Sequence, residues 1–197
     1  MQDLSTQNLT AVLQQGLEKD SGYDEALEIA RTNSSGKLWL VGGAVYRMIV
    51  AELYQTPQKI SDYDFLTEEI PRPIFLPEGW NLSATIFGNP SFHAPGFELD
   101  LFPLSKSMHW DDLGKALSAE EQVESYFRRV PLNIQAIAYD VDDKKLMGEE
   151  GIKAITEKTV KVNCLKNLQE YLPKKGISLE EYISSKAEGL GFVVVVK

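Results

Sequence analysis

The sequence has little of three features that would define other classes of protein: cysteine, basic charge and long apolar runs. The lone Cys164 excludes an internal disulfide. No apolar stretch approaches the roughly 20 residues that a membrane-spanning helix needs. The N-terminus also lacks the basic cluster and the apolar run of a signal peptide. We therefore expect a cytoplasmic protein with no membrane partner.

Acidic side chains outnumber basic ones by 29 to 20, which gives a net charge of −9. This charge opposes non-specific binding to phosphate backbones, so any contact with nucleic acid has to be local. Lysines are dense in one part of the sequence, where they form either a basic groove or a solvated face: Lys144, Lys145, Lys153, Lys158, Lys161 and Lys166. The two histidines, His93 and His109, lack metal-ligand spacing, and we expect turn or capped surface positions for them.

A chain of 197 residues with 43% hydrophobic content is long enough for one well-buried core. Hydrophobic spacing predicts an α+β fold, in which a small mixed β-sheet carries helices on one face and further helices lie at both ends. We divide it into opening helices (1–36), a core (37–163) and a C-terminal helical extension (164–197). Predicted strands are 38–41, 60–67, 97–102, 132–139, 145–147, 159–163 and 192–196, and predicted helices are 2–19, 21–33, 44–53, 116–128, 164–172 and 178–190. A Pro-rich connection at 71–77 leads to residues 81–87, which we leave unassigned.

Two aspartates stand one residue apart in the predicted strand ISDYDFLT. Side chains in a strand alternate in direction, so Asp62 and Asp64 emerge on the same face. Paired carboxylates repel unless a cation lies between them, and hard divalent ions such as Mg²⁺ or Mn²⁺ take oxygen ligands of this kind. In the alternating FELDLFPL strand, Asp100 supplies a third carboxylate. The alternative is that all three are scattered, solvated strand positions or partners of surface lysines.

A glycine pair, Gly42-Gly43, separates a short apolar strand from a helix. Without a β-carbon the backbone can turn sharply and bring its N–H groups close to a phosphate, at a helix N-terminus that carries partial positive charge. Many strand-to-helix turns need glycine for steric reasons alone, so the pair is weak evidence by itself. Next to an Asp-x-Asp strand, it predicts a triphosphate site.

Four segments together resemble the head domain of the poly(A) polymerase and CCA-adding branch of the polymerase β nucleotidyltransferase superfamily: LVGGAVYR, SDYDFLT, FELDLF and RRVPLNIQAIAYD. The resemblance spans about Leu38 to Val162. It implies that Asp62, Asp64 and Asp100 form a metal triad with catalytic function, that Gly42 and Gly43 contact the triphosphate, and that Arg47 matches the arginine of the following helix. Arg128, Arg129 and Gln135 would belong to the nucleotide-selecting segment.

The sequence departs from that pattern at several places. Tyr46 intervenes before Arg47, no Asp follows the Arg128-Arg129 pair, and Gln135 stands where the family has Asn. The arginine pair also ends a predicted helix, where cations complement the dipole, and this role is as good an explanation as phosphate contact. About 35 residues follow the head-like region, so we expect no neck, body and tail domains and no CCA addition.

The sequence leaves the activity and the acceptor open. A metal-dependent nucleotidyltransferase would move a nucleoside monophosphate from an NTP to an acceptor hydroxyl, which an RNA end, a protein or a small molecule can supply. One alternative is a non-catalytic nucleotide-binding or interaction module on the same scaffold. Another is a minimal enzyme acting on RNA or tRNA ends, which would need a local basic groove.

Overall fold

The computed structural model describes residues 4–104 and 116–195. Its helices are α1 (Thr6–Lys19), α2 (Ser21–Thr32), α3 (Gly42–Tyr54), α4 (Ala119–Arg129), α5 (Glu149–Glu157), α6 (Leu165–Lys175) and α7 (Leu179–Leu190). Its strands are β1 (Ser35–Val41), β2 (Asp62–Glu69), β3 (Asn81–Ala84), β4 (Pro90–Ala94), β5 (Phe97–Pro103), β6 (Ala138–Asp140), β7 (Lys145–Met147), β8 (Thr159–Val160) and β9 (Val193–Val194). His109 lies outside the described residues.

A seven-stranded mixed sheet in the order β3-β4-β5-β2-β1-β6-β7 forms the centre of the molecule. Its neighbours pair in antiparallel fashion, except that β2 and β5 run parallel in the middle. The parallel pair requires a crossover, which the β3–β4 hairpin supplies before the chain returns as β5. The predicted α+β class with a mixed sheet is confirmed.

Alternation along the central strands gives the sheet two buried faces. Leu38 and Leu40 of β1 point into the larger core, which α1, α2 and α3 cover on that face. Trp39 and Val41 point to the other face, where they pack with Val123 and Phe127 of α4 in a smaller core. We predicted helices on one face, and the structure adds α4 on the second. This second face carries the predicted acidic site.

Three elements were missed, and one strand is shorter than predicted. None of β3, β4 and α5 was expected, and His93 lies within β4 rather than in a turn. The predicted strand 132–139 is confirmed only at its end, because Asn133–Gln135 forms a 3-10 turn and only Ala138–Asp140 is extended. The side chain of Gln135 accepts a hydrogen bond from the Leu132 N–H at 3.0 Å, which satisfies that donor locally instead of in a ladder.

The C-terminal prediction of an edge strand is confirmed over a shorter length. Val193–Val194 pairs in parallel with Thr159–Val160 as a separate two-stranded sheet. In the described part of the chain, no helix combines the length and the apolar character needed to cross a membrane.

Candidate active site

The bend between β1 and α3 is where the chain turns beside the predicted acids. Gly42 has a φ of +67°, a left-handed conformation that glycine adopts without strain. A β-carbon built at this position would lie 2.8 Å from Oδ2 of Asp64. The N-cap residue of α3, Val41, makes no side-chain cap hydrogen bond. The bend therefore needs glycine sterically, and no side chain at the N-cap satisfies the first N–H groups of the helix.

The three predicted acids lie on the same face of the central parallel pair. Asp64 of β2 is the direct register partner of Asp100 of β5, and Asp62 is opposite Glu98. The intervening Tyr63 and Leu99 are buried in the larger core. Parallel pairing in this register thus brings together the two strands' acidic positions, which are more than 30 residues apart in the sequence.

Burial and mutual repulsion both act on these carboxyls. Burial is the largest cause that raises the pKa of Asp64 from 3.8 to about 7, and the negative charges of Asp100 and Asp62 add to it. Burial also raises the pKa of Asp100, while the Ser91 hydroxyl lowers it as a hydrogen-bond partner. Oδ1 of Asp100 is buried without a hydrogen-bond partner. A site of this kind holds its charge at a free-energy cost that a cation would remove.

Arg47 joins the glycine bend to the acids. It lies one turn after Gly43 on α3, and its Nη1 forms an ion pair with Oδ1 of Asp62 at 3.2 Å. Its guanidinium carbon would lie 3.4 Å from a β-carbon at Gly43. The side chain is 23% exposed, so it remains accessible to a ligand that enters over the bend. An arginine here can donate two N–H hydrogen bonds to phosphate oxygens in a bidentate fashion.

The other predicted residues have structural partners. Arg128 and Arg129 are exposed in the last turn of α4, where their charges complement the helix dipole. Gln135 uses both of its polar atoms, since its Nε2 donates to the Tyr182 hydroxyl at 3.4 Å while its Oε1 binds the Leu132 N–H. A contact of these three residues with a nucleotide stays a prediction.

Sequence reasoning missed Ser91 and Tyr126 beside the acids. Ser91 is the register partner of Asp100 on β4, and it was overlooked together with its strand. Burial and the negative charge of Asp64 raise the pKa of Tyr126, which places this α4 side chain near the acids. The sequence did contain an indication for Tyr126, because this residue lies on the same helix as the Arg128-Arg129 pair, which we predicted to contact the nucleotide.

The donor set suits a hard divalent cation, because it consists of carboxylate oxygens of which one is buried and unpartnered. Within residues 4–104 and 116–195, however, no group of three or more His, Cys, Asp or Glu side chains stands in an arrangement that could hold a metal ion. Asp62 directs Oδ1 to Arg47, so a cation would compete with that guanidinium. The metal triad stays a prediction that the chemistry of the donors supports.

Comparison with solved structures identifies relatives of the fold. A CCA-adding enzyme in complex with CTP gives a TM-score of 0.59 at 15% identity, over 93% of this chain and 43% of its own. The Bacillus stearothermophilus CCA-adding enzyme in complex with CTP gives 0.54 at 18%, over 89% and 41%. A CCA-adding enzyme in complex with ATP gives 0.52 at 16%, over 81% and 35%. This likeness confirms the predicted resemblance for the fold.

The chain spans less than half the length of each of these three structures. No protein-family model matches it, and no curated protein matches it either.

Proposed function

We propose that this protein is a metal-dependent nucleotidyltransferase, which transfers a nucleoside monophosphate from an NTP to an acceptor hydroxyl. One observation carries the proposal: the carboxylate of Asp64 lies against the Gly42 bend and opposite Asp100 in the sheet register. The bend that we propose for phosphate binding therefore lies next to an acidic pair. CCA-adding enzymes with this fold have been solved with CTP and with ATP, which supports an NTP as the substrate.

The chain's own residues suggest how a triphosphate would be held. The N-terminus of α3 offers N–H donors and partial positive charge to the β- and γ-phosphates, and Gly42 and Gly43 let them approach the backbone. Arg47 lies over Gly43 and can pair with a phosphate oxygen once it leaves Asp62. The triphosphate would then lie on the β1 side of the acids.

Asp62, Asp64 and Asp100 would hold Mg²⁺ or Mn²⁺ through their carboxylate oxygens. A bound divalent ion would neutralise charge on the phosphates and favour ionisation of the attacking hydroxyl. In the transfer, the O–H bond of the acceptor breaks and the acceptor oxygen bonds to the α-phosphorus. The bond between the α-phosphorus and the bridging oxygen breaks, and pyrophosphate leaves. Asp100 lies on the strand farther from the bend, and we assign it the role of receiving the acceptor's proton or binding the ion that contacts the acceptor.

The test is NTP-dependent pyrophosphate release by the purified protein with Mg²⁺ or Mn²⁺, together with NTP binding by calorimetry. Asp62→Asn and Asp64→Asn keep the side-chain shape while removing the charge, and each should lower turnover by about 100-fold or more, as loss of a charge-stabilising group does. Asp24→Asn, at an exposed position on α2, is the matched control and should retain full activity. Turnover that survives both site substitutions would remove these residues from the mechanism.

A nucleotide-binding module without catalysis is the second candidate. Two observations favour it: the acids do not form a ready arrangement for a metal ion in the described residues, and Gln135 is committed to structural hydrogen bonds. NTP binding that depends on Gly42 and Arg47, with no pyrophosphate release for any NTP, would select this candidate. The cytoplasmic location, the division at residues 36 and 163, and the use of an RNA end, a protein or a small molecule as acceptor stay predictions under either candidate.

A further inference from the structure

A strip of polar side chains continues from the acidic site toward the edge of the sheet. The register places Ser83 of β3, Ser91 of β4 and Asp100 of β5 in one row. A second row contains Asn81, His93 and Glu98. Both rows lie on the face that carries Asp62 and Asp64, because β5 continues them into β2. We call five residues of these rows, on β5, β4 and β3, the polar strip: Asn81, Ser83, Ser91, His93 and Glu98.

Hydrogen bonds and a close contact connect four residues of the polar strip, Ser83, Ser91, His93 and Glu98. His93 Nε2 lies 2.7 Å from the Ser83 hydroxyl and 3.0 Å from the Ser91 hydroxyl. The Ser91 hydroxyl also donates to Oε1 of Glu98 at 3.4 Å, and Nδ1 of His93 lies 3.9 Å from the same oxygen. The imidazole is therefore fixed between two serines and a carboxylate. These four side chains are positioned by contacts with one another, without a ligand.

Exposure within the strip is lowest at the residue beside Asp100. Ser91, beside Asp100, is buried, whereas the side chains of His93 and Glu98 are 37% and 51% exposed. Ser83 and Asn81 at the edge are exposed. A molecule bound along this surface would contact solvent at one end and Asp100 at the other.

The geometry of the proposed reaction directs the acceptor to this strip. The attacking and leaving oxygens lie on opposite sides of the phosphorus in an in-line displacement. Pyrophosphate leaves toward the Gly42–Gly43 bend, on the β1 side of the acids. The acceptor hydroxyl must then arrive from the opposite side, and the strands beyond Asp100 in that direction are β4 and β3.

The chemistry of the strip favours a positively charged acceptor over RNA. Its five positions hold amide, hydroxyl, imidazole and carboxylate groups, and none of them is Lys or Arg. A phosphate backbone needs cations to replace its counterions and would meet the negative charges of Glu98 and Asp62. An alcohol with an amino group near its hydroxyls would instead pair the ammonium with Glu98 and hydrogen-bond to the serines and His93.

We propose that the polar strip is the acceptor subsite and that the acceptor is a small polyhydroxylated amine, such as an amino sugar, with Glu98 binding its ammonium group. This inference rests on the proposed nucleotidyltransferase function. Glu98 and His93 are assigned to acceptor selection, and the proposed triphosphate contacts are other residues, Gly42, Gly43 and Arg47.

The experiment measures NTP-dependent pyrophosphate release and product mass with amino sugars that carry different numbers of amino groups. Each is compared with its neutral hydroxyl analogue and with a short RNA that has a free 3′-hydroxyl. We expect the amino sugars to gain the mass of a nucleoside monophosphate, with a KM at least about tenfold below that of the neutral analogue, the effect of one hydrogen bond to a charged group. Glu98→Gln should abolish this preference, because the KM for the amino sugar should rise to that of the neutral analogue.

Glu69→Gln, at an exposed glutamate near the other end of β2, is the matched control and should keep the preference. Equal use of neutral and amino sugars, use of the RNA alone, or no use of any amino sugar would overturn the inference. NTP-dependent transfer that occurs without any preference for the amine would refute the acceptor subsite alone, whereas NTP binding with no pyrophosphate release for any acceptor would refute the proposed function as well.

Discussion

Replacing Asp64 with Asn should stabilise the protein at neutral and alkaline pH. The carboxyl lies beside Asp100 and Asp62 in a partly buried setting, and its pKa rises from 3.8 to about 7. Between these two pH values the folded state binds a proton that the unfolded state has lost. Stability therefore falls as pH rises through this window, and the full cost of ionising Asp64 is present above about pH 7. Asparagine keeps the shape and avoids that cost.

The size of the effect follows from the pKa difference. A rise from 3.8 to about 7 corresponds to at most about 4 kcal/mol of unfolding free energy. Asp64 is only partly buried, and solvent reduces the repulsion, so we expect a gain of about 2 kcal/mol for Asp64→Asn at about pH 8. At about pH 4 the gain should be close to zero, since the carboxyl of the folded protein is then protonated.

Urea unfolding followed by circular dichroism, with EDTA present, measures this difference at both pH values. Asp24→Asn is the control, because Asp24 is exposed in the first turn of α2 and should give no gain. If Asp64→Asn does not raise the unfolding free energy at about pH 8, or raises it equally at both pH values, the repulsion between the carboxyls is refuted. Mg²⁺ and NTP should raise the stability of the wild-type protein and have a smaller effect on Asp64→Asn.

Three further substitutions test the bend and the loop packed against α2. Gly42→Ala should lower the unfolding free energy by about 2 kcal/mol, because φ is +67° and a β-carbon would press on the carboxylate beside it; Gly189→Ala, in open space on α7, should be neutral or stabilising. Gly43→Ala should change stability by less than about 1 kcal/mol and weaken NTP binding measured by calorimetry. Asn33→Ala should lower the unfolding free energy by about 2–3 kcal/mol, because the Asn33 side chain accepts a hydrogen bond from the Phe75 N–H and donates one to the Phe75 carbonyl. Hydrogen exchange of the Phe75 amide should also become faster.

The acids and the glycine bend could be predicted because their signals are local. A period of two placed Asp62 and Asp64 on one face, and an apolar strand followed by glycines predicted the start of a helix. The parallel pairing that brings Asp100 opposite Asp64 depends instead on a crossover through the β3–β4 hairpin. Side-chain alternation gives the face of a residue but not its neighbour across the sheet. The resemblance to a known family supplied that neighbour.

The missed elements depend on contacts that are distant in sequence. Strand β4 is five residues long and begins at a proline, so it lacks a clear alternating run, although it provides the partners of Asp100 and Glu98. Helix α5 contains a glycine and β-branched residues, which lower its intrinsic helix propensity. It packs where Gly151 donates its N–H to the Ala136 carbonyl at 3.1 Å, and a β-carbon at Gly151 would lie 2.6 Å from that oxygen. Tertiary packing thus overrides local preference.

The two glycines of the bend have separate roles. This separation strengthens the case for phosphate binding, for which the glycine pair in the sequence was weak evidence. Gly42 is required by its own conformation and by the carboxylate of Asp64, so its presence follows from folding alone. Gly43 has an ordinary φ, and a β-carbon there would make ordinary contacts at 3.4 Å or more with Arg47 and Asp62. Folding therefore does not require glycine at position 43, and a close approach of phosphate to the backbone is the remaining physical reason for it. Unimpaired NTP binding by a folded Gly43→Ala variant would remove this reason and with it the place we assign to the triphosphate.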